Sequence, residues 1–121
     1  TGVVTVVNFW YAGCAPCRAE AKDLAKLSGD FAKDGVQFVG VNVRDSAATA
    51  QAFDRTFGIQ YPSIIDAQSG NVVLAFTGVV SPQAVPTTLV VDKQGRVASR
   101  ILGRIEVGTL KALIKTVVAE K

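Results

Sequence analysis

With 121 residues, 49% of them apolar, the chain is long enough for one domain with its own core and too apolar for a disordered segment. The net charge is +3, and Lys and Arg are scattered rather than gathered beside aromatics, which gives no nucleic-acid signature. No apolar run reaches the ~18 residues of a membrane span. Methionine is absent even at position 1, so the chain reads as a processed product or a fragment, and a lost upstream export or anchor segment is compatible with it.

Val3–Phe9 is an apolar, β-branched run and predicts a buried strand. Cys14 to about Ala32 predicts a helix, with Pro16 tolerated in its first turn and Gly35 beyond its end. Val36–Val43 reads as a second strand, followed by Asp45 and Ser46 as caps of a helix to about Phe57 that stops at Gly58. Ile64–Ile65 and Val72–Phe76 are short apolar runs around a turn at Gln68–Asn71. Thr87–Val91 and Arg96–Leu102 are strands of a hairpin turning through Asp92-Lys93-Gln94-Gly95. A last helix, about Val107–Ala119, puts Leu110, Leu113, Ile114, Val117 and Val118 on one face. The order predicts a parallel βαβ unit with a right-handed crossover, extended by an antiparallel hairpin: a mixed sheet with helices on both faces.

The two cysteines form Cys14-Ala15-Pro16-Cys17, after a strand and at the mouth of a helix. A bridge across so few residues constrains little chain entropy, so the pair is placed for chemistry rather than stapling. Helix N-terminal N–H groups and the dipole favour an anion, which makes Cys14 the more acidic, exposed thiol and Cys17 the second, screened one. Two readings compete. Structural zinc needs four ligands, and with two cysteines and no histidine it could bind only between chains. An inert structural disulfide is disfavoured by the position opening a helix.

Leu24, Leu27 and Phe31 form an apolar stripe with Cys17 at its N-terminal end, and Glu20 falls inside it, one turn below Cys17. A carboxylate there, with no partner evident in the sequence, has a raised pKa and is placed to accept the Cys17 proton. The alternative is that it snorkels to the surface or pairs with a lysine. Pro86, in Val85-Pro86-Thr87-Thr88 directly before a strand, is a candidate cis-proline. Trp10 precedes the cysteines and is read as a partly exposed platform for substrate rather than as core.

The run Asn8-Phe9-Trp10-Tyr11-Ala12-Gly13-Cys14-Ala15-Pro16-Cys17-Arg18-Ala19-Glu20, with Tyr61-Pro62, Val85-Pro86-Thr87-Thr88 and Asp92-Lys93-Gln94-Gly95, resembles the bacterial TlpA/ResA branch of thioredoxin-like proteins, over roughly Val3 to Ile105. The resemblance implies one thioredoxin-like α/β domain over residues 1–121, with an insertion before the cis-Pro hairpin. It implies Cys14 as nucleophile, Cys17 as resolving thiol, Glu20 as the buried acid, and Pro86 as a cis-proline facing the disulfide. Asn8 stands where cytoplasmic thioredoxins carry a buried Asp. Members of this branch are usually exported and often membrane-tethered, and the ResA type reduces the haem-binding cysteines of apocytochrome c. Three departures stand out. Gly13 replaces a usual Trp, which implies a more open surface at Cys14. Lys22 replaces a common helix-kinking Pro, and the strands that usually precede Val3 are missing.

The leading expectation is a reductant of protein disulfides in the cell envelope, apocytochrome c among them, re-reduced by a membrane thiol reductant. No cofactor is expected beyond the Cys14–Cys17 disulfide. Backbone at Val85 would pair with an extended substrate, as in strand addition. The rival is an oxidant of exported proteins; strong oxidants stabilise the thiolate heavily, whereas an Ala-Pro dipeptide without histidine does not. A metal-handling domain is the third reading, and the absence of histidine argues against it.

Overall fold

The computed structural model describes residues 2–76, 78 and 85–120. Five strands form one sheet: β1 (Thr5–Trp10), β2 (Gln37–Asn42), β3 (Ser63–Ile65), β4 (Thr87–Val91) and β5 (Val97–Leu102), in the order β3-β2-β1-β4-β5. β1 pairs parallel with β2, and β2 with β3; β1–β4 and β4–β5 are antiparallel. This is the mixed sheet expected from the order of elements. The helices are α1 (Ala15–Phe31), continued by a 3-10 turn at Ala32–Asp34, α2 (Ala47–Phe57), α3 (Asn71–Ala75) and α4 (Val107–Val118).

β1 is central, and Val6 to Trp10 are all buried, because helices cover both faces of the sheet. On one face Val6, Phe38 and Val90 pack with Leu24, Leu27 and Phe31 of α1 and Leu110, Ile114 and Val117 of α4. On the other face Val7, Phe9, Val41 and Leu89 are covered by Val72 and Val73 of α3 and by Phe76. The apolar run Val72–Phe76, to which periodicity assigned no element, is thus mostly helix. Its start is fixed from a distance: the buried Asp66 carboxylate accepts from the N–H groups of Val72 at 2.9 Å and Val73 at 3.0 Å. The expected insertion before the hairpin continues into residues 77 and 79–84, which lie outside those described.

Two local signals act as expected. Ser46 caps α2 by accepting from Thr49 N–H, and Gly58 closes the helix at φ +70°, a left-handed geometry that suits glycine. Gly40 matters for packing: a Cβ there would collide with Ser63 Oγ and stand 2.8 Å from Trp10 Nε1.

Candidate active site

The end of β1 delivers the chain into the mouth of α1, where Cys14 is the N-cap and Pro16 lies in the first turn. Cys14 and Cys17 are joined as a disulfide, with Cα atoms 5.2 Å apart. Cys14 Sγ accepts the backbone N–H of Cys17 at 3.2 Å. A neutral donor and the helix terminus therefore converge on the sulfur that the sequence assigns to first attack. The expected contrast in exposure is absent in this oxidised state, for Cys14 is 4% and Cys17 3% exposed. The roles rest on position in the helix rather than on accessibility.

The loop that presents Cys14 is tied down by a residue the sequence reading passed over as a cap. Asp45 accepts from Ala12 N–H at 2.7 Å and from Asn42 Nδ2 at 2.9 Å, which fastens the β1–α1 loop to the β2–α2 loop. Two arginines flank this loop, Arg44 over the ring of Tyr11 and Arg18 over that of Phe57.

Glu20 lies in the α1 stripe with Cys17, Leu24, Leu27 and Phe31, and is fully buried, so it neither snorkels nor meets a lysine. It does have partners, which the sequence did not show. Oε2 accepts from Asn8 Nδ2 at 2.8 Å, and Oε1 from Ile105 N–H at 3.0 Å. Asn8 also donates to Thr88 Oγ1 at 3.1 Å. Burial pushes the Glu20 carboxyl above its ordinary value. The Ile105 and Asn8 hydrogen bonds and the Arg104 charge oppose that rise without cancelling it, and Asp23 adds to it.

Trp10 is 4% exposed and is not a platform. It packs on Phe53, ring centroids 4.5 Å apart, and donates from Nε1 to Ser63 Oγ at 3.2 Å. A residue ending a strand covered on both faces has no solvent side to present. Val85 packs at the edge of the cluster that holds Cys14, Cys17 and Trp10; Pro86 is buried, and the Val85–Pro86 peptide is cis. Gly13 is exposed, and a side chain there would meet only the Tyr11 ring at ordinary contact distance.

Beneath the disulfide lies a cavity of about 10 Å³, the size of a single water site. Cys17, Asn8, Trp10, Asp54, Tyr61 and Ser63 contribute to its wall. Asp54 was not singled out in the sequence, and Tyr61 entered only through the Tyr61-Pro62 pair of the resemblance. Burial raises the Asp54 carboxyl, and it raises the Tyr61 phenol, with the nearby acids Glu20 and Asp54 adding to the latter. The signal that found Glu20 was present for Asp54 too, since it falls within the stripe Ala50, Phe53, Phe57 of α2.

Comparison with known proteins supports this geometry. The model of the AhpC/TSA family matches residues 1–100. The chain is 39% identical over 102 residues to the thiol:disulfide interchange protein HelX of Rhodobacter capsulatus, covering 84% of this chain and 53% of HelX. It is 32% identical over 111 residues to the thiol-disulfide oxidoreductase ResA of Geobacillus thermodenitrificans, covering 92% of this chain and 61% of that protein. The chain belongs to the AhpC/TSA family, and within it is similar to the ResA thiol-disulfide oxidoreductases. Among solved structures, a secreted thiol-disulfide isomerase from Corynebacterium glutamicum superposes on this ResA-like fold with TM-score 0.89 at 35% identity, covering 98% of this chain and 72% of that one. A thiol:disulfide interchange protein of the thioredoxin family from Chlorobium tepidum gives 0.87 at 28% identity, covering 98% and 81%. The domain spans about half the length of the curated relatives it matches. Among the described residues, no helix is long and apolar enough to cross a membrane.

Proposed function

We propose that this ResA-like domain works outside the cytoplasm as a reductant of disulfides in exported proteins, apocytochrome c being the substrate class that fits its branch. One observation carries the direction. Cys14 Sγ receives its hydrogen bond from a neutral backbone donor, while acids, Glu20 and Asp54, lie on the Cys17 side and the chain has no histidine. Such surroundings stabilise a thiolate weakly, which favours the disulfide and lowers the reduction potential. The names HelX and ResA support the assignment by kinship, and the secreted relative supports the location.

In the reducing direction, the Cys14 thiolate attacks a substrate disulfide and forms a mixed disulfide, releasing one substrate thiol. Cys17 then loses its proton and attacks Cys14 Sγ. The Cys14–Cys17 bond forms, the second substrate sulfur leaves as a thiol, and the pair is oxidised by two electrons. Glu20, behind Asn8, sets the charge beneath Cys17 and so governs how readily that thiol loses its proton; Val85 and Pro86 line the approach of an extended substrate segment. A membrane thiol reductant restores the dithiol, and the pair needs no cofactor or metal.

Equilibration with glutathione, followed by alkylation and mass analysis, tests the direction. The midpoint should fall nearer to thioredoxin, about −270 mV, than to DsbA, about −120 mV. A value near the latter would reverse the assignment. Cys17→Ser should accumulate mixed disulfides with its substrates, and recovery of cytochrome precursors identifies the class.

A further inference from the structure

Glu20 has no route of its own to water. It is fully buried, both oxygens are occupied by Asn8 and Ile105, and it does not line the cavity beneath Cys17. Yet whenever the disulfide closes or opens, a proton must leave or reach Cys17 from solvent. Asp54 is differently placed. It lines the inner cavity together with Cys17 and also lines a groove of about 230 Å³ between α2 and β3. That groove reaches solvent past the exposed Ala47, Gln51 and Ile65. Ser63 shares both walls with Asp54, so these two residues form the partition between inside and outside. Asp54 Oδ1 is buried and has no hydrogen-bond partner among the described residues. An orphaned buried acceptor costs free energy, and one retained in a folded protein calls for an explanation, of which a catalytic role is one.

We propose that Asp54 is the proton-relay residue of this domain, passing the Cys17 proton between the cavity beneath the disulfide and solvent in the α2–β3 groove. The titratable groups facing the cavity are Cys17 from α1, Asp54 from α2 and Tyr61 from the α2–β3 loop; β1 and β3 contribute only the neutral Asn8, Trp10 and Ser63. Glu20 stands behind Asn8, with Asp23 and Arg104 acting on it. The cavity has room for one water, and Cys17 and Asp54 both line it, so a water there would connect the thiol with the carboxyl. The ionised Asp54 takes the proton as Cys17 Sγ bonds to Cys14 Sγ, and returns it to the groove; in the reverse reaction the flow is inverted. Burial raises the carboxyl above its ordinary value, which makes it a stronger proton acceptor. The inference rests on thiol–disulfide exchange at Cys14 and Cys17, not on its direction.

The test is stopped-flow reaction of the reduced domain with an aromatic disulfide whose thiolate is coloured. The first release reports attack by Cys14, and the second reports resolution by Cys17. In the wild type the second phase should accelerate with pH through the Asp54 ionisation. Asp54→Asn should slow that phase roughly tenfold or more and remove that limb of the profile, leaving the first phase unchanged. Formate, small enough for the groove, should restore the second phase of Asp54→Asn, and Asp54→Glu should keep the limb. A second phase in Asp54→Asn with the wild-type rate and profile overturns the proposal. So does equal slowing in Asp54→Asn and Asp54→Glu with no change of profile and no response to formate, which marks a packing role. A wild-type domain showing neither phase would instead refute the exchange chemistry itself.

Discussion

Asn8 Nδ2 lies 2.8 Å from Glu20 Oε2, so the middle of the central strand and the second turn of the active-site helix are joined by a buried hydrogen bond under the redox pair. The same amide group reaches Thr88 on β4. The acid therefore ties α1, β1 and the segment after β5 together, and its proposed influence on the Cys17 proton is a second role that separates from the first by measurement.

Glu20 has a folded-state pKa raised above its unfolded value of about 4.3. The folded protein thus holds the proton more tightly than the unfolded chain. The stabilisation is complete below the unfolded pKa and is lost as pH rises through the folded one. Asp54 acts with the same sign. Urea unfolding of the oxidised domain should show stability falling across that window, with a smaller fall in Glu20→Gln. A slope unchanged by the substitution would mean that Glu20 does not titrate there.

Glu20→Gln should also slow release of the second thiol while sparing attack by Cys14. Glutamine can still accept a hydrogen bond from Asn8 or Ile105 N–H, but its NH₂ group faces the other donor. We expect a loss of about 1–2 kcal/mol in stability, measured by urea midpoint. Wild-type kinetics in both phases at every pH would reduce Glu20 to the tie alone.

In the reduced protein, pulse alkylation with a bulky reagent followed by peptide mass analysis should modify Cys14 well before Cys17. Cys14 caps the helix and accepts the Cys17 N–H, whereas Cys17 is a turn inside. Equal rates would exchange or erase the assigned roles.

Gly40→Ala should destabilise by about 1–3 kcal/mol, because the new methyl must displace both Ser63 Oγ and Trp10 Nε1. The indole N–H resonance of Trp10 should move with it. Retention of wild-type stability would show that β3 can shift away freely.

Asp66→Ala should cost about 1–2 kcal/mol, since the first N–H groups of α3 lose their acceptor. Thermal unfolding checks this, and an unchanged midpoint would show that packing of Val72 and Val73 alone holds the helix.

How far the sequence could be read follows from which interactions are local. The α1 stripe, the Ser46 cap, the Gly58 stop and the Asp92–Gly95 turn are written in neighbouring residues, and each appears where its spacing puts it. Glu20 was found because a charge inside an apolar helical stripe is visible from spacing. Its partners were not, because Asn8 and Ile105 lie 12 and 85 residues away. Trp10 was misread because a central strand buried on both faces loses the alternation that marks an outward side chain. The class of Val72–Phe76 was unreadable for a similar reason: a five-residue apolar run suits either element, and a carboxylate further up the chain decides.

Trp10, buried in the cluster that contains both sulfurs, is the only tryptophan of the chain. Disulfides quench indole emission at short range, so the oxidation state of the pair is coupled to an optical signal that arises nowhere else in the protein. The domain carries its own fluorophore for titrating the redox couple, with no label attached near the surface that meets substrate.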